Sequence, residues 1–274
     1  MMAGMIAVFD IGNTHTHLGI ANSKRVVSQM NVTTDGWTNG VSARAAARFF
    51  KHRSIHGAAL CSVVPTATPL VSRFVNEHFH LPCLKLTSQT VSQIGIDYPK
   101  PETIGPDRLA DAVAAKIHFG APLVVLDFGT AVTFDVVNGR GDYVGGIIAP
   151  GLAAMTGYLH EKTALLPKIE IREISTVIGK NTEEAMVIGA VHGYRGLVRE
   201  LIKELKSDLK ARHLPVIATG GYAGLIAARM PEITSVEPLL TLEGLRLFWE
   251  GSQLKLIGKA QSRKKTTLYG DWDV

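Results

Sequence analysis

Cysteine is scarce in this 274-residue sequence, which contains only Cys61 and Cys83. The spacing of the two thiols matches no metal-binding pattern, and one pair cannot form the framework of disulfides that supports small secreted domains. The sequence therefore predicts neither a cysteine-based zinc site nor a disulfide-rich fold.

Long apolar runs are also missing. The N-terminus lacks the basic region, apolar core and small-residue cleavage site of a secretion signal. Apolar segments such as residues 5–9 and 123–126 are too short to cross a bilayer, which needs about 20 consecutive apolar residues. We therefore expect a cytoplasmic protein without a membrane partner. The hydrophobic content of 46% is enough to fill the cores of two ordinary domains.

A strong excess of one charge is absent outside the C-terminus. The formal net charge is +5, and residues 253–274 supply three of these five charges, because they hold five basic and two acidic residues. These residues are Lys255, Lys259, Arg263, Lys264 and Lys265, with Asp271 and Asp273. A short basic tail is more often a solvated chain end than a binding arm. We therefore expect no nucleic-acid partner.

Two segments share one pattern, an apolar strand that ends in Asp-x-Gly and is followed by a second apolar strand. They are MIAVFDIGNTHTHLGI, which contains Asp10, and LVVLDFGTAVTFDVV, which contains Asp127. A carboxylate at the end of a core strand must be hydrogen-bonded, paired or close to a cation, because an uncompensated buried charge is costly. Turn amides and small polar side chains can hold phosphate oxygens. Each segment therefore predicts a hairpin that binds phosphate and metal.

One Asp-x-Gly is an ordinary turn, but two copies between apolar strands indicate an internal duplication. The alignment pairs Asp10, Gly12, Asn13 and Thr16 with Asp127, Gly129, Thr130 and Thr133. A duplicated chain with one such hairpin in each half would clamp a nucleotide between the halves. A Walker motif is absent, because Gly179-Lys180-Asn181-Thr182 lacks the preceding glycine at the required spacing.

The rest of the chain alternates strand and helix patterns, which predicts an α/β architecture. We expect strands near residues 5–9, 17–21, 58–64, 123–127, 132–137 and 215–219. We expect helices over residues 42–52, 69–78, 107–119 and from Thr182 to about 210. Gly189 and Gly193 lie one turn apart in the last of these, and such a strip of small residues is typical of close packing or of a subunit interface.

Three further patterns each allow a structural and a functional interpretation. In IGPDRLADAVAA, Asp107 and Arg108 open a helix, so they are either a cap and a surface cation or a site for a polar ligand. Asp111 is expected on the solvated face. His15 and His17 could hold a metal ion, although no third ligand is evident. The glycine-rich segments at 145–151 and 220–227 are expected to be turns that connect elements or approach a nucleotide.

The segments DIGNT, GPDR, DFGTAVT, GGIIAPG, GKNTEEA and TGGYA, in this order, resemble type III pantothenate kinases over residues 5 to about 250. That family belongs to the superfamily of acetate kinase, sugar kinases, heat-shock ATPases and actin. The resemblance implies two duplicated ribonuclease-H-like, actin-like ATPase domains with a nucleotide cleft between them. We place the domains at residues 1–121 and 122–274.

The resemblance also implies an activity, which is the ATP-dependent phosphorylation of pantothenate to 4′-phosphopantothenate, the first step of coenzyme A biosynthesis. Asp107 matches the catalytic proton acceptor, Asp127 the ligand of a monovalent cation (K⁺ or NH₄⁺), and Asp10 the carboxylate near the Mg²⁺ that accompanies ATP. The implied ATP-binding residues are Asp10, Ile11, Gly12, Asn13, Thr14, His15, Thr16, His17 and Thr130. The implied pantothenate-binding residues are Tyr98, Gly105, Pro106, Asp107, Arg108 and Thr182. Thr182 matches a threonine that reaches the substrate of a neighbouring subunit, which implies a homodimer.

The sequence departs from the family pattern at Tyr98, which is followed by Pro99-Lys100-Pro101 where the family often has Tyr-x-Asn-Pro. Two alternatives stay open, another small-molecule kinase of the superfamily and a non-catalytic nucleotide-binding regulator. The combination of Asp10, Asp107 and Asp127 favours an enzyme, and GPDR with an upstream tyrosine favours pantothenate.

Overall fold

A computed structural model of the chain describes residues 4–268, with side chains through residue 254. The chain forms two compact units. The first contains the chain up to Gly95, Lys100–Ala114 and the chain from Thr241 onward, and the second contains Ile96–Pro99 and Ala115–Leu240. The side chains of the basic tail expected from the sequence, from Lys255 onward, lie outside the described ones.

The first unit is built on a sheet with the strand order β3-β2-β1-β4-β5. Its strands are β1 (Met5–Ile11), β2 (His15–Ala21), β3 (Val26–Thr33), β4 (Ile55–Ser62) and β5 (Cys83–Lys85). β1 pairs antiparallel with β2 and parallel with β4. Apolar side chains of this sheet, such as Phe9, pack with Trp37, Phe50 and Phe74 in one buried core.

The second unit contains a sheet with the strand order β11-β10-β7-β8-β9-β6. Its strands are β6 (Gly95–Ile96), β7 (Leu123–Phe128), β8 (Ala131–Val137), β9 (Asp142–Pro150), β10 (Val216–Thr219) and β11 (Ser235–Val236). β7 pairs antiparallel with β8 and parallel with β10. Phe128, Phe134 and Tyr194 belong to the buried core of this unit.

The two sheets repeat the same order, with β7 to β11 in the places of β1 to β5 and β6 added at one edge. Each central strand therefore has an antiparallel neighbour that follows it in sequence and a parallel neighbour that comes later. This is the arrangement of a ribonuclease-H-like domain, and it confirms the predicted α/β duplication.

The helices connect and cover these strands. They are α1 (Val41–Phe50), α2 (Thr68–Phe79), α3 (Pro106–Phe119), α4 (Leu152–Lys162), α5 (Thr182–Ile188), α6 (Tyr194–Asp208), α7 (Ala223–Ala227) and α8 (Leu240–Leu268). A π-helical turn over Gly189–Gly193 joins α5 to α6, so the expected single helix exists but is interrupted. In the described part of the chain, no helix combines the length and apolarity needed to cross a membrane.

The division of the chain differs from the predicted boundary after residue 121, because α8 packs on the first unit. A Cβ atom at Gly244 would lie 2.0 Å from the carbonyl oxygen of Ala110, so α8 and α3 are in backbone contact. At Gly57 in β4, a Cβ atom would lie 2.3 Å from the indole of Trp249 in α8. These contacts join residues that are far apart in sequence, and no local pattern reports them.

The segment GGIIAPG forms most of β9, where a glycine-rich turn was predicted. β8 supplies a complete antiparallel partner for it, and this pairing outweighs the low strand propensity of glycine. Gly145 has φ of +122°, a conformation that glycine adopts without strain. The tertiary pairing therefore decides the conformation of this segment.

Candidate active site

The first hairpin places Asp10 at the end of β1. Asp10 lies opposite His17 of β2 and Cys61 of β4 in the sheet register. The turn closes through a hydrogen bond of 3.0 Å from the amide of Gly12 to the carbonyl of His15. Asn13, Thr14 and His15 are exposed at this turn, so their amides and polar side chains are available to phosphate oxygens.

Two side chains of this hairpin point inward, which differs from the ATP contacts expected for them. Thr16 is fully buried, and its hydroxyl lies 3.1 Å from that of Thr34 and accepts a hydrogen bond of 3.1 Å from the indole of Trp37. Ile11 is fully buried in the core. The hydroxyl of Thr34 also donates to the carbonyl of Gly12 over 2.6 Å. These side chains therefore fix the shape of the hairpin from inside the unit.

The two histidines lie on one face of β2. Their ring centroids are 6.5 Å apart, and Nδ1 of His17 lies 2.8 Å from Oδ1 of Asn31. Among the described residues, no three His, Cys, Asp or Glu side chains are grouped closely enough to hold a metal ion by themselves. A metal ion at this hairpin would need oxygen atoms from phosphate, backbone or water in addition to Asp10.

Asp10 and Asp107 form an acidic pair in the first unit. Burial and then repulsion from Asp107 raise the pKa of Asp10 to about 7, and a hydrogen bond from the thiol of Cys61 partly lowers it. The Cys61 sulfur lies 3.4 Å from Oδ1 of Asp10. A carboxylate whose ionised form is destabilised in this way gains from a nearby cation, and such groups are common in active sites.

Asp107 lies in the first turn of α3, which begins at Pro106. Its Oδ1 atom accepts a hydrogen bond of 2.9 Å from the amide of Arg108, one of the amides at a helix start that lack a partner within the helix. Burial nevertheless raises the pKa of Asp107, against the opposing effects of the Arg108 amide and guanidinium. Gly105 leaves room for this carboxylate, since a Cβ atom there would lie 2.5 Å from Oδ1.

Asp111 is buried, with 2% of its surface exposed, and its predicted position on the solvated face is wrong. Burial raises the pKa of the Cys61 thiol well above its usual range, and Asp10, Asp107 and Asp111 raise it further. Asp111 therefore belongs to the acidic surroundings of Cys61. The run LADAVAA, which is small or apolar on all sides, is typical of a buried helix and could have indicated this.

The second hairpin repeats the first. Asp127 lies near the end of β7, opposite Thr133 of β8 and Thr219 of β10. Gly220, with φ of +89°, faces the carboxylate, and a Cβ atom there would lie 2.3 Å from Oδ1 of Asp127. The amide of Gly151 donates to the carbonyl of exposed Thr130 over 3.1 Å. The predicted glycine-rich segments thus supply two close backbone approaches to this turn.

A buried network that the sequence did not reveal adjoins this hairpin. Asp135 is fully buried and accepts hydrogen bonds from the hydroxyls of Thr133 and Tyr143 over 3.0 and 2.9 Å. The ring of Tyr143 packs edge-on against Tyr98, with centroids 6.3 Å apart. Tyr98 is 37% exposed. One face of Tyr98 is thus supported from inside, while part of its ring is accessible.

Thr182 is the exposed first residue of α5, and the capping residue is Asn181. The Asn181 side chain accepts a hydrogen bond from the amide of Glu184, whose carboxylate accepts one of 2.8 Å from the amide of Lys180. The expected start of this helix at Thr182 is confirmed, and the cap lies one residue before it. Because Asn181 satisfies the helix start, the Thr182 hydroxyl is not required for capping.

Comparisons with known proteins agree on one family. Residues 6–204 match the model of the type III pantothenate kinase family. A type III pantothenate kinase from Akkermansia muciniphila is 42% identical over 240 residues, which cover 88% of this chain and 96% of that protein. One from Roseiflexus sp. is 37% identical over 258 residues, which cover 90% of this chain and 98% of that protein.

Solved structures support the fold alone, because their sequence identities are low. A protein provisionally named a Baf family transcriptional activator from Campylobacter jejuni gives a TM-score of 0.53 at 15% identity, covering 90% of this chain and 99% of that one. A protein provisionally named an N-acetylmannosamine kinase from Listeria monocytogenes gives 0.51 at 12% identity, covering 91% and 99%. With the acidic hairpins in both units and a family match over most of its length, the chain belongs to the type III pantothenate kinase family.

Proposed function

We propose that this protein transfers the γ-phosphoryl group of ATP to the terminal hydroxyl of pantothenate, which gives 4′-phosphopantothenate and ADP and begins coenzyme A biosynthesis. The observation that carries the proposal is the half-buried carboxylate of Asp107 beside Asp10, in a chain of this family. ATP and pantothenate are metabolites of the cytoplasm, and we place the reaction there.

Asp107 accepts the proton of the pantothenate hydroxyl as the hydroxyl oxygen forms its bond to the γ-phosphorus and the bond to ADP breaks. Burial raises the pKa of Asp107, and a base whose pKa lies closer to the working pH is more effective. Gly105, Pro106 and Arg108 contact pantothenate around this carboxylate, and the Arg108 guanidinium suits the carboxylate of the substrate.

The residues of the first hairpin fit magnesium and phosphate. Mg²⁺ commonly uses one or two carboxylates and completes its shell with water and phosphate oxygens, so a single partly buried Asp10 is sufficient. A magnesium ion held by Asp10 would neutralise charge on the phosphates of ATP. Asn13, Thr14 and His15 hold phosphate oxygens at the exposed turn, while Gly12 shapes it and His17 lies beside it. In the second unit, Thr130 contacts ATP.

Asp127 provides an oxygen ligand for a monovalent cation, K⁺ or NH₄⁺. The carboxylate lies against the backbone of Gly220, and carboxylate oxygens are ligands that hard cations prefer. We expect low turnover in a buffer with only Na⁺, recovery with K⁺ or NH₄⁺, and loss of this response in Asp127→Ala. The measurement is initial rate against cation concentration, with Asp208→Ala at the exposed end of α6 as the control. Equal rates of the parent protein in Na⁺ and in K⁺ would contradict the proposal that Asp127 binds an activating cation.

A homodimer completes the proposal, with Thr182 reaching the pantothenate of the neighbouring subunit. Several large apolar side chains of the second unit are exposed in the single chain. They are Met155, Tyr158, Leu159, Leu165, Val177 and Ile178. Gly189 is exposed as well, and a Cβ atom there would meet nothing within 4 Å. A second subunit packed against these residues would bury them.

The assembly is tested with Gly189→Leu, which adds bulk to open space in the monomer but overpacks a close contact by about 1–3 kcal/mol. Sedimentation velocity should show a shift from dimer to monomer, and pantothenate affinity should fall with it. Gly139→Leu, at a site equally open in the monomer, should leave the dimer intact. A fully active parent monomer would contradict the shared site.

The activity itself is tested by a coupled ADP-release assay with and without pantothenate. We expect turnover that depends on pantothenate and yields a phosphorylated product by mass spectrometry. ADP release without an acceptor would indicate an ATPase, and nucleotide binding without turnover would indicate a regulator. Turnover with another alcohol in place of pantothenate would indicate a different kinase of the superfamily.

A further inference from the structure

Each oxygen of the buried Asp135 carboxylate accepts one hydrogen bond, and these two hydrogen bonds are the two arms of the network. Its Oδ1 atom accepts a hydrogen bond from the phenol of Tyr143, and its Oδ2 atom accepts one from the hydroxyl of Thr133. Asp135 is 0% exposed and Tyr143 is 1% exposed. A buried carboxylate is costly unless it is hydrogen-bonded, so the position of each hydroxyl is fixed firmly by its partner.

The first arm leads to Tyr98. The rings of Tyr98 and Tyr143 meet at 68° with centroids 6.3 Å apart, a favourable edge-on contact. Gly145 lies on the same ring, because a Cβ atom there would lie 3.2 Å from Cε2 of Tyr98. The backbone carbonyl of Tyr143 also accepts a hydrogen bond of 2.9 Å from the amide of Asp97. Tyr143 thus holds both the backbone and the ring of the segment that carries Tyr98.

A surface contact supports the same segment. The Asp97 carboxylate accepts a hydrogen bond of 2.7 Å from the guanidinium of Arg140, which also pairs with Asp142 over 3.0 Å. Both ends of the first pair are well exposed, so its contribution is small. The buried Tyr143 phenol is the stronger constraint on Tyr98.

The second arm leads to the second hairpin. Thr133 lies directly opposite Asp127 in the register of β8 and β7. Thr133 and Asp135 are two residues apart on β8, so their side chains share one face of the sheet. Asp135 therefore holds Thr133 where β8 passes the carboxylate proposed to bind the cation.

We propose that Asp135 is a positioning residue that orients the substrate tyrosine Tyr98 through Tyr143 and holds the second hairpin through Thr133. This inference rests on the proposed function, in which Tyr98 contacts pantothenate. Asp135 touches neither substrate. Its role is to hold Tyr98 and the second hairpin in place through one buried carboxylate. Pantothenate and the cation then bind to side chains that are already oriented.

A purely structural role would lower stability without changing one substrate constant selectively. Tyr143→Phe distinguishes a positioning role from a purely structural one, because it keeps the ring and removes the hydroxyl that donates to Asp135. We expect the KM for pantothenate to rise about 10-fold, the effect of one lost hydrogen bond, with the KM for ATP unchanged. Tyr194→Phe is the matched control, since this phenol is also buried in the second unit and donates to the carbonyl of Pro150 over 3.0 Å.

Two double variants test the route of the effect. If Tyr143 acts through Tyr98, Tyr143→Phe should add no further loss of pantothenate affinity to Tyr98→Ala. If Asp135 holds Tyr143, Tyr143→Phe should likewise add nothing to Asp135→Ala, which removes both carboxylate oxygens and with them the acceptor of the Tyr143 phenol. Thr133→Val should change the half-saturating K⁺ concentration and leave the KM for pantothenate unchanged.

Each outcome decides the question. An unchanged KM for pantothenate in Tyr143→Phe, an equal rise in Tyr194→Phe, or additive losses with Tyr98→Ala would overturn the positioning role while the parent enzyme stays active. A parent protein without pantothenate-dependent turnover would instead overturn the proposed function, and this inference with it. If Asp135→Ala fails to fold, the Tyr143 and Tyr98 variants still decide whether Tyr143 positions Tyr98.

Discussion

Replacing Asp107 with asparagine is expected to lower kcat by roughly 10²–10⁴-fold, the usual contribution of a general base. Asparagine keeps the shape of the side chain and an oxygen that can accept the Arg108 amide, so α3 and ATP binding should be retained. The loss should appear in kcat, because the proton is accepted only during phosphoryl transfer. The measurement combines steady-state kinetics with calorimetric titration of ATP.

The control for this prediction is Asp35→Asn, which changes an exposed carboxylate of the same unit. In the parent enzyme, kcat/KM should fall as the pH falls through the raised pKa of Asp107, because only the ionised carboxylate accepts a proton. Asp107→Asn should remove the contribution of Asp107 to this limb and shift the contribution of Asp10 to lower pH, because the repulsion from Asp107 that helps to raise the pKa of Asp10 is then absent. Near-parental turnover in Asp107→Asn would show that Asp107 is not the base.

The second large effect is expected on stability, at Glu173→Ala. The side chain of Arg195 is 4% exposed, and its guanidinium donates two hydrogen bonds, of 3.1 and 2.6 Å, to the carboxylate of Glu173. Arg195 also donates to the carbonyls of Leu225 and Ile226. Removing the carboxylate leaves a buried cation uncompensated, which costs about 3 kcal/mol, the low end of the usual range because Glu173 is partly solvated.

Chemical denaturation measures this loss, with Glu183→Ala as the control. Glu183 pairs with Arg172 in the same part of the chain, but both are about half exposed, so its removal should cost less than about 1 kcal/mol. Equal losses in the two variants would contradict the role assigned to the buried pair.

The pH dependence of this pair has a definite sign. The hydrogen bond from Arg195 outweighs partial burial and holds the pKa of Glu173 below its ordinary value of 4.5. The unfolded chain therefore binds the proton more readily, and the stabilisation is fully present above about pH 4.5 and is lost as the pH falls through the lower, folded value. Glu173→Ala should remove this acid-dependent part of the unfolding curve.

The parts of the site that sequence could predict are those encoded locally. Asp10 and Asp127 each follow an apolar strand and precede a glycine turn, and strand period and turn chemistry are local properties. The start of α3 at Pro106, with Asp107 in its first turn, was readable for the same reason.

The parts that could not be predicted depend on which way a side chain points in the assembled unit. Thr16 belongs to the same motif as the exposed Thr14, yet its hydroxyl is buried and accepts a hydrogen bond from the indole of Trp37. Asp111 looks like a surface residue until the helix is surrounded on all sides. Asp135 appeared as a polar residue within a strand, and its importance arises from Tyr143, which approaches from another strand.

The crossing of α8 to the first unit sets an order of events during synthesis of the chain. The second unit uses one nearly continuous stretch, Ala115–Leu240, and can close as soon as that stretch leaves the ribosome. The first unit begins earlier in the chain, but it lacks two packing contacts until α8 is synthesised. These are the contact of Trp249 with Gly57 and that of Gly244 with Ala110. The half that is translated first is therefore completed last, and a nascent chain that stops before α8 leaves its acidic pair on an unfinished scaffold.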